Sequence, residues 1–156
     1  MTTVEPATLG DVEAVTDLWV ELASGQQAFG SDLLAEGNRE AVREALARQA
    51  VTGGLLVAHD DGVVGFVGFE PEGGRYEKRV ETGVVQNIYV VPERRGEGIG
   101  SALLREAERR LREGGAEAIT LEAMADNDQA VAFYERHGYE PHRIAMRKSD
   151  SDSNQG

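Results

Sequence analysis

The run from Val80 to Leu111 constrains this chain more than any other stretch of its sequence. Val80 to Val91 is rich in β-forming residues and closes on Pro92, which cannot donate to a central ladder, so a strand ends there. Gly96, Gly98 and Gly100 follow at alternate positions, and Ile99, Leu103, Ala107 and Leu111 recur at helical spacing. An amphipathic helix therefore begins inside a glycine-rich loop, where the backbone can approach a ligand closely. Such a helix start presents unpaired N–H groups and a partial positive charge, which together hold phosphate oxygens. Arg94 and Arg95 add full charges beside it. Two familiar phosphate motifs do not fit. A P-loop needs a Gly-Lys-Ser/Thr ending, and a Rossmann start does not belong in mid-chain. Taken alone, the loop is equally a turn that happens to be rich in glycine.

Around this unit the chain alternates strands and helices. Val4 to Ala7 is a short β run, and Thr8 with Asp11 three residues later marks a helix start. Leu9, Val12, Val15, Leu18, Trp19 and Leu22 then share one helical face. After an irregular segment, Gly25 to Gly37, Asn38 is placed to cap a second helix in which Val42, Ala45, Leu46 and Gln49 share a face, ending near Gly53 and Gly54. Leu55 to His59 and Val63 to Phe69 are β runs joined by Asp60-Asp61-Gly62, the signature of a hairpin. Pro71 to Lys78 is a polar loop, and Gly114-Gly115 stops the helix that follows the glycine loop. Ala118 to Ala123 predicts a strand, Asn127 to His137 a helix, and Arg143 to Lys148 a final strand. The fold class is α/β (or α+β) around a mixed sheet.

The 156 residues fit one compact domain, assigned here to residues 1–148, with a polar and acidic tail over 149–156 expected to be disordered. There is no cysteine, which removes thiolate metal sites and cysteine nucleophiles, and His59, His137 and His142 are too scattered to indicate a metal cluster. No apolar run approaches a membrane span, and the amino terminus lacks the blocks of a secretion signal, so a cytoplasmic protein is expected, without a membrane partner. The 28 acidic against 16 basic residues give a formal net charge of -12, which disfavours nucleic-acid binding. Lys78 and Lys148 are the only lysines. An acidic, lysine-poor surface suits a salt-rich cytoplasm; the same carboxylates would also attract a cationic amine.

Arg95, Gly98 and Gly100 match the Arg/Gln-x-x-Gly-x-Gly/Ala signature of the GCN5-related N-acetyltransferase (GNAT) superfamily, and the resemblance extends to both sides of the loop. Upstream, Gln86-Asn87-Ile88-Tyr89-Val90-Val91-Pro92 is similar to the splayed central strand of that superfamily. Downstream, Asn127, Ala130, Phe133, Tyr134, Gly138 and Tyr139 are similar to its second motif. The resemblance implies a mixed, mostly antiparallel central sheet flanked by about four helices. It also implies acetyl-CoA as co-substrate, no metal, a small-molecule or peptide amine as acceptor, and a homodimer by family habit. Ile88, Tyr89 and Val90 would meet the pantetheine arm through main chain, and Arg95, Gly96, Gly98, Ile99, Gly100 and Ser101 would hold pyrophosphate. Asn127 would lie near the cofactor, and Tyr134 would face its sulfur.

These roles have a physical content. As an amine attacks a thioester, the departing sulfur gathers negative charge, to which a tyrosine hydroxyl with pKa of about 10 can donate. The thioester oxygen becomes negative too and can be met by a main-chain N–H. Tyr134 could instead be a core aromatic, and Asn127 simply a helix cap; Tyr139 reads as core. Family members often carry a glutamate where this chain has Gln86, which cannot accept a proton. A lysine-like amine is neutral in only about one of a few thousand molecules at pH 7, so a base is needed unless the acceptor deprotonates easily. Glu81 and Glu122 lie on predicted strands and are the candidates. The alternative is a non-catalytic acyl-CoA-binding sensor that has lost its base.

Overall fold

The computed structural model describes residues 1–73 and 76–150. Five strands, β1 (Thr3–Pro6), β2 (Leu55–His59), β3 (Val63–Pro71), β4 (Thr82–Val90) and β5 (Ala118–Leu121), form one sheet in the order β1-β2-β3-β4-β5. The first four pair antiparallel and β5 joins β4 in parallel. Four α-helices complete the fold: α1 (Val12–Gln26), α2 (Arg39–Thr52), α3 (Ile99–Glu113) and α4 (Asp128–Arg136).

Alternation along β2 divides the core. Leu55 and Val57 pack with Val15, Leu18, Trp19 and Leu46 of α1 and α2 on one face, while Leu56 and Ala58 pack with Leu103, Leu104, Ala107 and Leu111 of α3 on the other. Because both faces are covered, β2 is apolar from Leu55 to Ala58 rather than alternating. The hairpin between β2 and β3 turns on Asp61 and Gly62, both at positive φ, as its Asp-Gly sequence requires.

Most local signals are realised, although Leu9 and Ala45, expected on apolar helix faces, are exposed and the strand expected over Ala118 to Ala123 stops at Leu121. Thr8 N–H donates to Asp11 Oδ2 at 2.9 Å, the predicted start signal, but Asn38 does not cap α2 with its side chain, which donates instead to the Leu34 carbonyl at 2.6 Å. The strand expected over 143–148 is not formed: that segment is unpaired, and Ile144 and Met146 are exposed. Alternating apolar residues make a strand only where an edge accepts their backbone and a core accepts their side chains; here Arg147 is held by Asp32 and the Gly30 carbonyl instead. Ser149 and Asp150 of the expected tail are exposed, and residues 151–156 lie outside the described part.

Candidate functional site

The site begins where two parallel strands part. β5 pairs with β4 only from Thr82↔Ala118 to Val85↔Leu121. β4 then continues through Gln86–Val90, and among the described residues nothing pairs with it on that side. Its other edge stays bonded to β3, with Val91 N–H donating to the Val64 carbonyl at 3.0 Å. Because successive N–H groups in a strand point to opposite edges, those of Ile88 and Val90 are turned toward the open side.

The open edge leads into the glycine loop. Gly96 and Gly98 have φ of 82° and 87°, left-handed values that side-chain-bearing residues resist. That turn brings the chain round so that α3 starts at Ile99 with Gly98 as its N-cap, and its first-turn amides have no partner within the helix. A shallow cleft of about 220 Å³, lined by Thr2, Val4, Glu97, Gly98, Ile99 and Ala102, adjoins this start. Arg95 folds back over the open edge. Its Nε donates to the Val90 carbonyl at 2.9 Å and its guanidinium lies 5.1 Å from the Tyr89 ring centroid. Arg94 does not supply a free charge there: it is bound to Asp60 Oδ2 at 2.9 Å and Glu97 Oε1 at 3.1 Å.

The other side of the split is lined from α3 and α4. Asn127 caps α4, its Oδ1 accepting from Ala130 N–H at 3.1 Å. Phe133 and Tyr134 meet each other edge to face and pack against the α3 core. Tyr139 gives its hydroxyl to the buried Glu108 at 2.7 Å, whereas the half-buried Tyr134 hydroxyl has no hydrogen-bond partner among the described residues. Burial pushes the Tyr134 hydroxyl up to about 12. Ser101 Oγ lies 2.8 Å from His137 Nε2, a partner that the helical reading of residues 127–137 did not bring out.

Ile88, Val90, Arg95, Gly96, Gly98, Ile99, Gly100 and Ser101 are thus brought into one continuous track. Tyr89 contributes backbone to that track, but its side chain turns to the opposite face, donating to Glu21 on α1 at 3.1 Å. Burial, then the Glu21 carboxylate, raises its pKa. The two carboxylates are placed unequally. Glu122 is exposed and immediately follows β5, at the split. Glu81 precedes β4 rather than lying in it, five residues before Gln86 and about 16 Å away by strand rise, with its N–H bonded to Glu117 Oε1. Glu70 and Gln49, which bond Gln86 directly, were missed because neither is near it in sequence. Among the described residues no group of three or more acidic or histidine side chains is arranged to hold a metal, and no helix is long and apolar enough to cross a membrane.

A parallel strand pair parts beside a helix start, and the first-turn amides of such a start are suited to an anion. The acetyltransferase (GNAT) family model matches residues 16–139, and the chain belongs to that family. It is 33% identical over 92 residues to the uncharacterised N-acetyltransferase YjcF of Bacillus subtilis, covering 58% of this chain and 61% of that protein. It is 37% identical over 67 residues to the aminoalkylphosphonate N-acetyltransferase of Salmonella typhimurium, covering 43% and 44%. The chain therefore aligns with less than two thirds of the length of these curated relatives. Its fold is shared with the PaiA N-acetyltransferase of Thermoplasma acidophilum, solved in complex with coenzyme A, at a TM-score of 0.77 and 20% identity over 93% of both chains.

Proposed function

We propose that this protein is an N-acetyltransferase that moves an acetyl group from acetyl-CoA to a primary amine by direct attack in a ternary complex. The observation that carries the reading is the open edge of β4 with the helix start that follows it: the N–H groups of Ile88 and Val90 turn to the unpaired side, and one short loop later the first-turn amides of α3 have no partner within the helix. Coenzyme A has matching chemistry, an amide-bearing arm joined to a pyrophosphate. Acetyl-CoA supplies the activated thioester. Ile88 and Val90 hold its arm, and Arg95 with the amides from Gly96 to Ser101 holds its phosphates.

Tyr134 serves the departing sulfur. With its pKa raised to about 12, handing over its proton outright to a thiolate of ordinary pKa near 8.5 would cost about 5 kcal/mol. Tyr134 therefore acts first as a hydrogen-bond donor, and passes a proton on only as it receives one from the attacking nitrogen. The relative named for aminoalkylphosphonate and the family match support a small-molecule amine as acceptor.

The reading is tested with a panel of ethanolamine, benzylamine, spermidine, kanamycin and a glycine-terminated peptide, measuring free CoA above the hydrolysis background at low and high salt. Release with at least one amine is expected. Tight acetyl-CoA binding with no release from any of them would favour the acyl-CoA sensor.

A further inference from the structure

We propose that the carboxylate of Glu70 accepts the proton of the incoming ammonium, positioned by an amide relay through Gln86 and Gln49. This rests on the N-acetyltransferase reading above. The relay follows from a register shift. β3 and β4 pair as Gly68↔Asn87 and then Phe69↔Val85, so Gln86 is the extra residue of a β-bulge. It is also the first residue of β4 beyond the last pair with β5. Val85 packs toward α3, as do Ile88 and Val90, and the bulge leaves Gln86 facing α2, on the side from which an acceptor can approach the open edge.

Both ends of the Gln86 amide are engaged. Its Oε1 accepts from Gln49 Nε2 at 2.7 Å, and its Nε2 donates to Glu70 Oε1 at 2.6 Å. The orientation is chemically forced: an ionised carboxylate only accepts, so Gln86 must present its NH₂ to Glu70 and its oxygen to Gln49. Gln49 is in turn seated by a missing side chain. A Cβ at Gly68 would lie 3.1 Å from Gln49 Nε2 and 3.3 Å from its Oε1. Gln86 occupies one of the roughly four lone-pair sites of the Glu70 carboxylate. The others can receive an N–H of the ammonium or of one bridging water. A glutamine at 86 thus removes the base from β4 and fixes a carboxylate beside it on β3.

The proton count closes. R–NH₃⁺ gives one proton to Glu70, which returns it to solvent. The freed lone pair forms the C–N bond, the C–S bond breaks, and a second proton leaves the nitrogen for the sulfur through Tyr134. R–NH–acetyl, CoA thiol and one solvent proton result.

The decisive variant is Glu70→Gln, which keeps an oxygen for Gln86 but cannot take a proton. With the most active amine of the panel, kcat/KM at pH 7 should fall at least about 100-fold. Its pH profile should rise about tenfold per unit toward the amine pKa, because only already neutral amine reacts. Acetyl-CoA affinity by calorimetry should stay unchanged, and Glu70→Asp should recover part of the rate. Gln49→Leu should lower kcat about tenfold with little change in KM, as a positioning residue would. Activity within about threefold of wild type with an unchanged pH profile would overturn the assignment, as would loss of acetyl-CoA binding in Glu70→Gln. If the wild type acetylates no amine, the N-acetyltransferase reading itself fails and this one falls with it.

Discussion

Gly98→Ala separates the phosphate-binding role proposed for the loop from its role in the fold. Gly98 has φ of 87°, and a Cβ built there meets nothing within 4 Å. The substitution therefore adds no clash, only the cost of an L side chain in left-handed backbone, about 1 to 2 kcal/mol. Gly115, after α3, has the same two properties, with φ of 108° and open surroundings. Gly115→Ala should lower stability similarly, a Tm drop of about 2 to 8 °C for each. Only Gly98 sets the direction of the first amides of α3. If the backbone relaxes there, at least one hydrogen bond to a charged phosphate is lost, about 1.5 to 3 kcal/mol, or roughly 10- to 150-fold in affinity. Calorimetry with acetyl-CoA should show that loss in Gly98→Ala and not in Gly115→Ala. Equal affinities in the two variants, with equal Tm shifts, would refute the placement of pyrophosphate at this helix start.

Four further outcomes are expected. Tyr134→Phe should reduce kcat about 100-fold, the scale of losing one donor to a developing anion, with little change in acetyl-CoA affinity by calorimetry. Since Tyr134 stays protonated until about pH 12, kcat of the wild type should show no alkaline loss from this group between pH 8 and 10. Tyr139→Phe should destabilise the fold by about 1 to 3 kcal/mol in urea titration, because it strips the bond from the buried Glu108 carboxylate. The His59 pKa is raised by its bond to Glu5 and further by Asp11, so its contribution to stability is complete below the unfolded value near 6.5 and is lost as pH rises through the folded one. Wild-type Tm should therefore fall between pH 6 and 8 relative to Glu5→Gln, measured by calorimetric scans.

Much of the stretch proposed to bind the cofactor was legible because it is contiguous in sequence. Pro92, the glycines and the periodicity of α3 lie within one run, and strand end, turn and helix start are each local events. The GNAT-like motifs ordered this unit against Asn127 and Tyr134. The carboxylate proposed above as base was not legible in the same way. Glu81 and Glu122 stood out as carboxylates near strand ends, yet Glu81 sits about 16 Å along β4 from Gln86 by strand rise. Glu70 meets Gln86 only through strand pairing across sixteen positions of sequence. Arg94 failed as a free charge for a related reason: its partner Asp60 comes from the hairpin between β2 and β3.

By itself the sequence determined the order of the elements, the apolar face of each helix, the left-handed turns at Asp61, Gly96 and Gly98, and a helix start able to bind an anion. Those properties depend on residues within one or two turns of each other. Tertiary pairing decided the rest. It ended the β4–β5 ladder at Val85 and Leu121, opening the edge, and it inserted Gln86 as a bulge opposite β3. It also left residues 143–148 without a partner strand. Register has a period of two, so one inserted residue reverses which face a side chain meets, and no local pattern announces it. The glycine loop is thus a local property of the sequence, while the contact of Gln86 with Glu70 comes from a single bulge.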